Sequence, residues 1–133
     1  MRILWISGRN LGEDLAQTTE ISLCKELVKL GSEVTLISPG ETTAKSFSHV
    51  GVKRLKIPGL ETWSGARKIR KILTDEVRIG NFDFTIVDWR YVFFLKKFLY
   101  NDKVKWAIID RSPPASSGNL IPLQRWFWRR SWE

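Results

Sequence analysis

Residues 21–38 read ISLCKELVKLGSEVTLIS, and the fold turns on this stretch. Ile21, Cys24 and Val28 recur at three- and four-residue spacing, with Leu23, Leu27 and Leu30 broadening the same apolar face. That is the period of an amphipathic helix. Gly31 ends it, because glycine readily takes the left-handed conformation that closes many helices. EVTLIS (residues 33–38) follows at once as a short run of β-formers, cut off by Pro39 and Gly40. Upstream, RILWIS (residues 2–7) has the same character and ends at Gly8. Strand, helix and strand in succession form a β-α-β unit, which requires parallel strands and a crossover helix.

The alternation continues downstream. Residues 41–48 are polar and read as loop, and VKRLKIPG (residues 52–59) alternates weakly, as an edge strand guarded by lysines would. Ala66, Ile69, Ile72, Leu73 and Val77 mark a second helix, with Thr62 or Ser64 as its N-cap. FDFTIVD (residues 82–88) is a further strand, residues 91–99 a shorter helix, and VKWAIID (residues 104–110) the last strand. The order β-α-β-(β)-α-β-α-β predicts a Rossmann-like α/β fold: three α/β/α layers, a mostly parallel sheet and right-handed crossovers. No internal repeat or low-complexity segment competes with this reading.

Bulk properties fit a single domain over residues 1–133. A hydrophobic content of 43% against 27% charged residues is ordinary for a folded globular chain. No apolar run approaches the roughly 18–20 residues that span a bilayer. MRILWISG is too short to be a signal peptide, and a single cysteine, Cys24, leaves no intrachain disulfide, so a cytoplasmic setting is expected. The formal charge of +8 calls for an anionic neighbour: nucleotide phosphates, an acidic lipid surface or nucleic acid. It concentrates in RKIRK (residues 67–71) and RWFWRRSW (residues 125–132).

In parallel sheets of this kind ligands gather beyond the carboxyl ends of the strands, where strand order reverses. The first strand delivers Gly8, Arg9 and Asn10 there, with Gly12 close behind. A later strand delivers Asp88, Trp89 and Arg90, and the last delivers Asp110, Arg111 and Ser112 ahead of the stiff Pro113–Pro114 pair. Carboxylates followed by arginines suit a polyhydroxyl ligand that also carries negative charge. The same residues at strand ends serve equally well as turn formers and solvated ion pairs.

Other chemistries lack support. GRNLG (residues 8–12) has neither the spacing of a dinucleotide loop nor the Lys-Ser ending of a Walker loop, and no acidic residue closes the second strand, which disfavours a nicotinamide-dependent dehydrogenase. His49 is the sole histidine; it falls in a polar loop, reads as a surface residue and cannot form a metal cluster alone. Cys24 lies on the apolar helix face and reads as a small buried hydrophobe. RKIRK sits on a helix with Asp75 and Glu76, the pattern of a solvated face.

Residues 119–133 read as a C-terminal aromatic and basic helix. Arg125 and Arg129 fall four apart on one face; Leu120, Leu123 and Phe127 form an opposite stripe, widened by Trp126, Trp128 and Trp132. Such a helix lies at a membrane interface, meets protein outside this chain, or packs on its own domain.

Three stretches together carry a family resemblance. TTEISLCKELVKLGSEVTLIS (residues 18–38) resembles the first helix and second strand of GT-B glycosyltransferases, in particular the family-4 retaining enzymes. Glu20 matches the glutamate that opens their helix. GSEV (residues 31–34) matches their Gly-His-Glu-Val, with Ser32 in place of the histidine. MRILWISG resembles their opening strand and glycine turn, and IIDRSPPASSGNLIPLQRWFWRRSW (residues 108–132) resembles a tail seen in archaeal and bacterial members.

The resemblance implies two Rossmann-like domains facing a cleft, of which this chain would be a partial N-terminal, acceptor-side one. The missing C-terminal domain would bind the nucleotide diphosphate-sugar donor and carry an E-x7-E motif. It implies a retaining glycosyltransferase as parent, with no metal and no cofactor bound by this domain, and a fragment inactive alone. The acceptor is expected to be a sugar or a lipid-linked group, held by Gly8, Arg9, Asn10, Asp88, Trp89, Arg90, Asp110, Arg111 and Ser112. Arg125, Trp126, Trp128, Arg129 and Trp132 would meet the missing domain or a peripheral membrane surface on the inner face. Many relatives have a histidine where Asp110 stands, so Asp110 is the candidate catalytic residue only by position. The competing expectation is a stand-alone, non-catalytic Rossmann-like module on a membrane surface or on nucleic acid, which salt-dependent DNA binding would reveal.

Overall fold

Strands that are apolar on both pleat faces need cover on both sides, and the chain supplies it with helices. The computed structural model describes residues 1–11, 15–41, 44–101, 103–110 and 119–133, without the side chains of residues 15–17. Along the chain come β1 (Arg2–Ile6), α1 (Leu15–Lys29), β2 (Glu33–Pro39), β3 (Ser48–Val52), α2 (Glu61–Asp75), β4 (Phe84–Asp88), α3 (Trp89–Leu99), β5 (Trp106–Ile109) and α4 (Ile121–Trp132). A short 3-10 turn at Ile79–Asn81 precedes β4.

The five strands form one sheet in the order β3-β2-β1-β4-β5, and every pairing is parallel. This is a Rossmann-like α/β fold. Strand order reverses beside β1: β2 and β3 run outward on one side, β4 and β5 on the other. The switch point therefore lies between the carboxyl ends of β1 and β4. In register, Ile6 pairs with Val87 and Asp88 with Ile109, so Ser7, Asp88 and Ile109 reach the same edge together.

Two apolar layers sandwich the sheet. Leu4, Ile6, Ile37 and Val87 meet Ala66, Ile69 and Leu73 of α2 and Tyr91, Val92, Leu95 and Leu99 of α3. On the other face Ile3, Trp5, Val34 and Leu36 meet Cys24 of α1 and Phe47 of the segment before β3. The junction between α1 and β2 forms as the sequence indicates. Gly31 has φ 85°, its N–H donates to the Val28 carbonyl, and the Ser32 N–H donates to that of Leu27. This double bond satisfies carbonyls that the helix end leaves open.

Several local expectations are corrected. The edge strand is residues 48–52, not 52–59, because Thr35 to Pro39 of β2 pair with Ser48 to Val52. His49 accordingly sits in β3, half-buried, with Nε2 2.9 Å from Ser38 Oγ, rather than in a polar loop. Neither Thr62 nor Ser64 caps α2. Leu60 holds the N-cap position without a side-chain bond, while Ser64 is buried, donates to the Glu61 carbonyl and accepts from the Leu55 N–H. Helix α1 starts before the periodic residues, and Leu23 and Leu30 face outward. The tail folds back on its own domain: Phe127 packs against Phe93 and Phe94 of α3 with ring centroids 5.4 and 5.5 Å apart, whereas Leu120 and Leu123 stay exposed.

Candidate functional site

The switch point is organised around Gly8. Just before it, Ser7 is fully buried; its N–H donates to the Ile37 carbonyl at 2.8 Å and its hydroxyl donates to Glu20 Oε2 at 2.7 Å. Ser7 Oγ in turn accepts from the Arg9 N–H at 3.1 Å. Glu20, 2% exposed, thus fixes the bend after β1 from inside α1. A second tie holds the loop to β2: the Leu11 N–H donates to the Pro39 carbonyl, and Leu11 bridges to Gly40. Gly40 has φ 83°, and a Cβ there would lie 2.1 Å from the Leu11 carbonyl oxygen, so only glycine fits.

Across the junction, Asp88 clamps β1 to α3. Its Oδ2 accepts from the Gly8 N–H at 3.3 Å, and its Oδ1 caps α3 by accepting from the Arg90 N–H at 3.0 Å. Both oxygens are engaged and the residue is only 7% exposed. Its carboxylate is therefore a clamp before it is a ligand contact. Arg90 lies over Gly8: a Cβ on Gly8 would come 3.1 Å from Asp88 Oδ2 and 3.4 Å from Arg90 Nη1. Trp89 is buried beneath, with the Arg90 guanidinium 5.7 Å from its ring centroid, so its ring supports the arginine rather than lining an open wall.

A residue that the sequence did not single out completes the cluster. Arg54, from the segment between β3 and α2, donates from Nη1 to the Gly8 carbonyl at 3.2 Å and lies 3.8 Å from Glu61. It also bonds the Tyr91 hydroxyl, whose burial raises its pKa above the ordinary 10.0 while the Arg54 charge pulls it back. Two guanidinium groups from distant segments thus meet at one glycine. Each also has a carboxylate at ion-pair distance, Arg54 with Glu61 at 3.8 Å and Arg90 with Asp88 at 4.0 Å, so the charges are locally balanced and it is the fork-shaped donors that suit phosphate or carboxylate.

Arg9 and Asn10 follow Gly8 on the same edge, both half-buried. Asp110 stands at the end of β5, next to β4, and its Oδ2 accepts from Trp128 Nε1. Arg111, Ser112 and Gly12 lie outside the described residues. Of the tail residues, Arg125, Trp126, Arg129 and Trp132 are exposed, while Trp128 turns inward to Asp110. Ser131 is buried and donates to the Trp89 carbonyl at 2.7 Å, tying α4 to the start of α3. The sequence edge from Gly8 to Asp88 is thus brought together directly, and Asp110 joins it one strand further out. No helix among the described residues is long and apolar enough to cross a membrane.

No protein-family model matches the sequence, and no curated protein is similar to it. Among solved structures the chain is similar to a UGT transferase from Siraitia grosvenorii in complex with UDP, at 12% identity and a TM-score of 0.47. The match covers 82% of this chain and 27% of that one, so the chain spans about a quarter of its neighbour's length. This is a weak likeness, of fold alone.

Proposed function

We propose that the chain is the acceptor-side Rossmann-like domain of a retaining, nucleotide-sugar-dependent glycosyltransferase of the GT-B type. One observation carries the reading: Arg54 and Arg90 converge on Gly8 at the switch point, the position where parallel sheets bind ligands. The sequence resemblance of residues 18–38 to the family-4 enzymes supplies the reaction class. Under this reading Gly8, Arg9 and Asn10 offer backbone close to the ligand, and Arg90 and Arg54 pair with an anionic group on the acceptor. Asp88 holds both segments in register, and Asp110 extends the same wall.

The nucleotide-sugar donor is assigned to a second domain outside these residues. In the whole enzyme the acceptor hydroxyl forms a bond to the anomeric carbon as the bond from that carbon to the diphosphate breaks. The diphosphate leaves with the electron pair and the hydroxyl proton is released. This chain's part is orientation, which lowers the barrier by holding the hydroxyl in reach.

The test is a titration of the chain with a hexose phosphate, followed by backbone amide shifts, alongside an assay with UDP-glucose. Shifts centred on Gly8, Arg9 and Arg90 are expected, with no sugar transfer or donor hydrolysis. Arg90→Gln keeps the backbone bond to Asp88 but removes a charge-assisted contact, and should weaken binding about tenfold or more. Turnover by the chain alone, or shifts confined to another surface, would overturn the proposal.

A further inference from the structure

The outer surfaces of α2, α3 and α4 carry many aromatic and basic side chains. On α2, Arg67 lies over the Trp63 ring at 5.8 Å. Arg67 then borders a groove of about 390 Å³ between α2 and α3, lined also by Arg70, Lys71, Thr74, Lys97 and Phe98. Asp75 is the one acidic side chain in that lining. One turn before Lys97 on α3 stands Phe93, in contact with Trp126 of α4 at 5.6 Å, and Arg130 covers Trp126 in turn at 5.7 Å. Lys96 lies between the rings of Phe93 and Tyr100, 5.9 and 5.7 Å away.

These rings are not hidden. Trp63, Phe93, Tyr100 and Trp126, with Leu60 and Leu123 beside them, are between 37% and 56% exposed. Scattered apolar residues need no explanation, but a contiguous patch interleaved with cations does. Nearby carboxylates do little to offset the charge. Glu61 is engaged by Arg54, and Glu133 by Arg130. Glu76 is exposed beside Asp75 at the far end of α2.

We propose that this three-helix face docks on an anionic lipid bilayer. Indole and phenyl rings with arginine and lysine are the composition of the membrane–water boundary, where rings sit at headgroup level and cations meet acidic lipids. Exposed Leu60 and Leu123 choose this occupant over nucleic acid, which offers basic surfaces phosphates but no apolar phase for aliphatic side chains. The sequence alone placed such a contact on the tail. The proposed face adds the basic residues of α2 and α3 and leaves out Trp128, which turns inward to Asp110. The inference does not rest on the reading of the switch point.

Co-sedimentation of the whole chain with vesicles tests it. Vesicles of phosphatidylcholine mixed with phosphatidylglycerol should bind the chain at low salt and lose much of it at high salt, and phosphatidylcholine alone should not bind. Each basic residue near such a surface contributes about fivefold, so Arg70→Gln/Lys71→Gln/Lys97→Gln should weaken binding about a hundredfold. Lys25→Gln/Lys29→Gln/Lys45→Gln makes the same change in net charge away from this face and should leave binding intact. Leu60→Ser/Leu123→Ser should reduce the part that survives high salt. All these side chains are exposed, so circular dichroism should show every variant folded. Absence of binding to the acidic vesicles, equal weakening by the two triple variants, or tighter binding to a short DNA duplex through the same face would each overturn the proposal.

Discussion

Replacing Gly65 by alanine probes how α2 and α3 are locked around the switch point. A methyl group on Gly65 would lie 2.8 Å from the Tyr91 hydroxyl oxygen, 3.4 Å from Cε1 and 3.5 Å from Cζ. The ring carbons are at ordinary contact, but the oxygen is about 0.6 Å too close for a carbon neighbour. Tyr91 is 1% exposed, so it has nowhere to swing. Alanine gains about 1 kcal/mol in helix propensity. Against that stand an overpacking cost of about 1–3 kcal/mol and about 1 kcal/mol for disturbing the bond between Tyr91 and Arg54. The net expectation for Gly65→Ala is a loss of about 1–3 kcal/mol, or roughly 3–15 °C in melting temperature. Urea titration followed by circular dichroism measures it. Tyr91→Phe removes the offending oxygen, so Gly65→Ala/Tyr91→Phe should be more stable than the sum of the single changes by about 1 kcal/mol. Gly80→Ala, where no atom lies within 4 Å, serves as the neutral control. A Gly65→Ala protein as stable as the parent, or one that Tyr91→Phe fails to rescue, would refute the packing described for this contact.

Three further expectations concern other parts of the chain. Ser131→Ala removes the hydroxyl whose single proton is shared between the Trp89 carbonyl of α3 and the Phe127 carbonyl of α4; it should cost about 1 kcal/mol and speed amide exchange in α4 more than in the sheet. Burial, with Glu20 nearby, pushes the Cys24 thiol up to about 12, so a disulfide reagent at mildly alkaline pH should leave the folded chain almost untouched and label it rapidly in urea. Burial also holds the His49 pKa below its ordinary 6.5, against smaller opposing effects of Ser38 and Glu41. The unfolded chain then takes the proton first, so this contribution is complete above pH 6.5 and is lost as pH falls from there towards the folded pKa. His49→Gln should flatten that part of a stability–pH profile, and an unchanged slope would show that other groups produce it.

Much of the architecture was readable because the buried strands announce themselves. RILWI is apolar after its first residue, EVTLISP and FTIVD are rich in β-formers, and the helices between them force parallel pairing. The edge strand was misplaced for a physical reason. Ser48, His49 and Gly51 have little strand propensity of their own, and β2 imposes their conformation by pairing. Of VKRLKIPG only Val52 pairs with β2; the rest forms the connection that carries Arg54 to Gly8. That contact joins residues 46 positions apart, and no local spacing encodes it. The candidate edge at Gly8, Asp88 and Arg90 followed from topology alone. What topology could not say is that Asp88 spends both oxygens on backbone N–H groups and that Arg54 reaches the same glycine. The tail was legible as a helix, but its docking through Phe127 and Ser131 depends on a partner helix elsewhere in the chain.

The order of pairing in the sheet has a consequence for how the molecule comes to exist. Strands β2 and β3 are close neighbours along the chain, while the seam between β1 and β4 brings together positions such as Arg2 and Asp83, 81 residues apart. Closing so long a loop is entropically the most demanding step, and distant pairings slow folding. The switch point lies on that seam. A nascent chain can assemble its first crossover soon after residue 39 emerges, but the junction at the switch point does not close until β4 arrives and Asp88 meets Gly8.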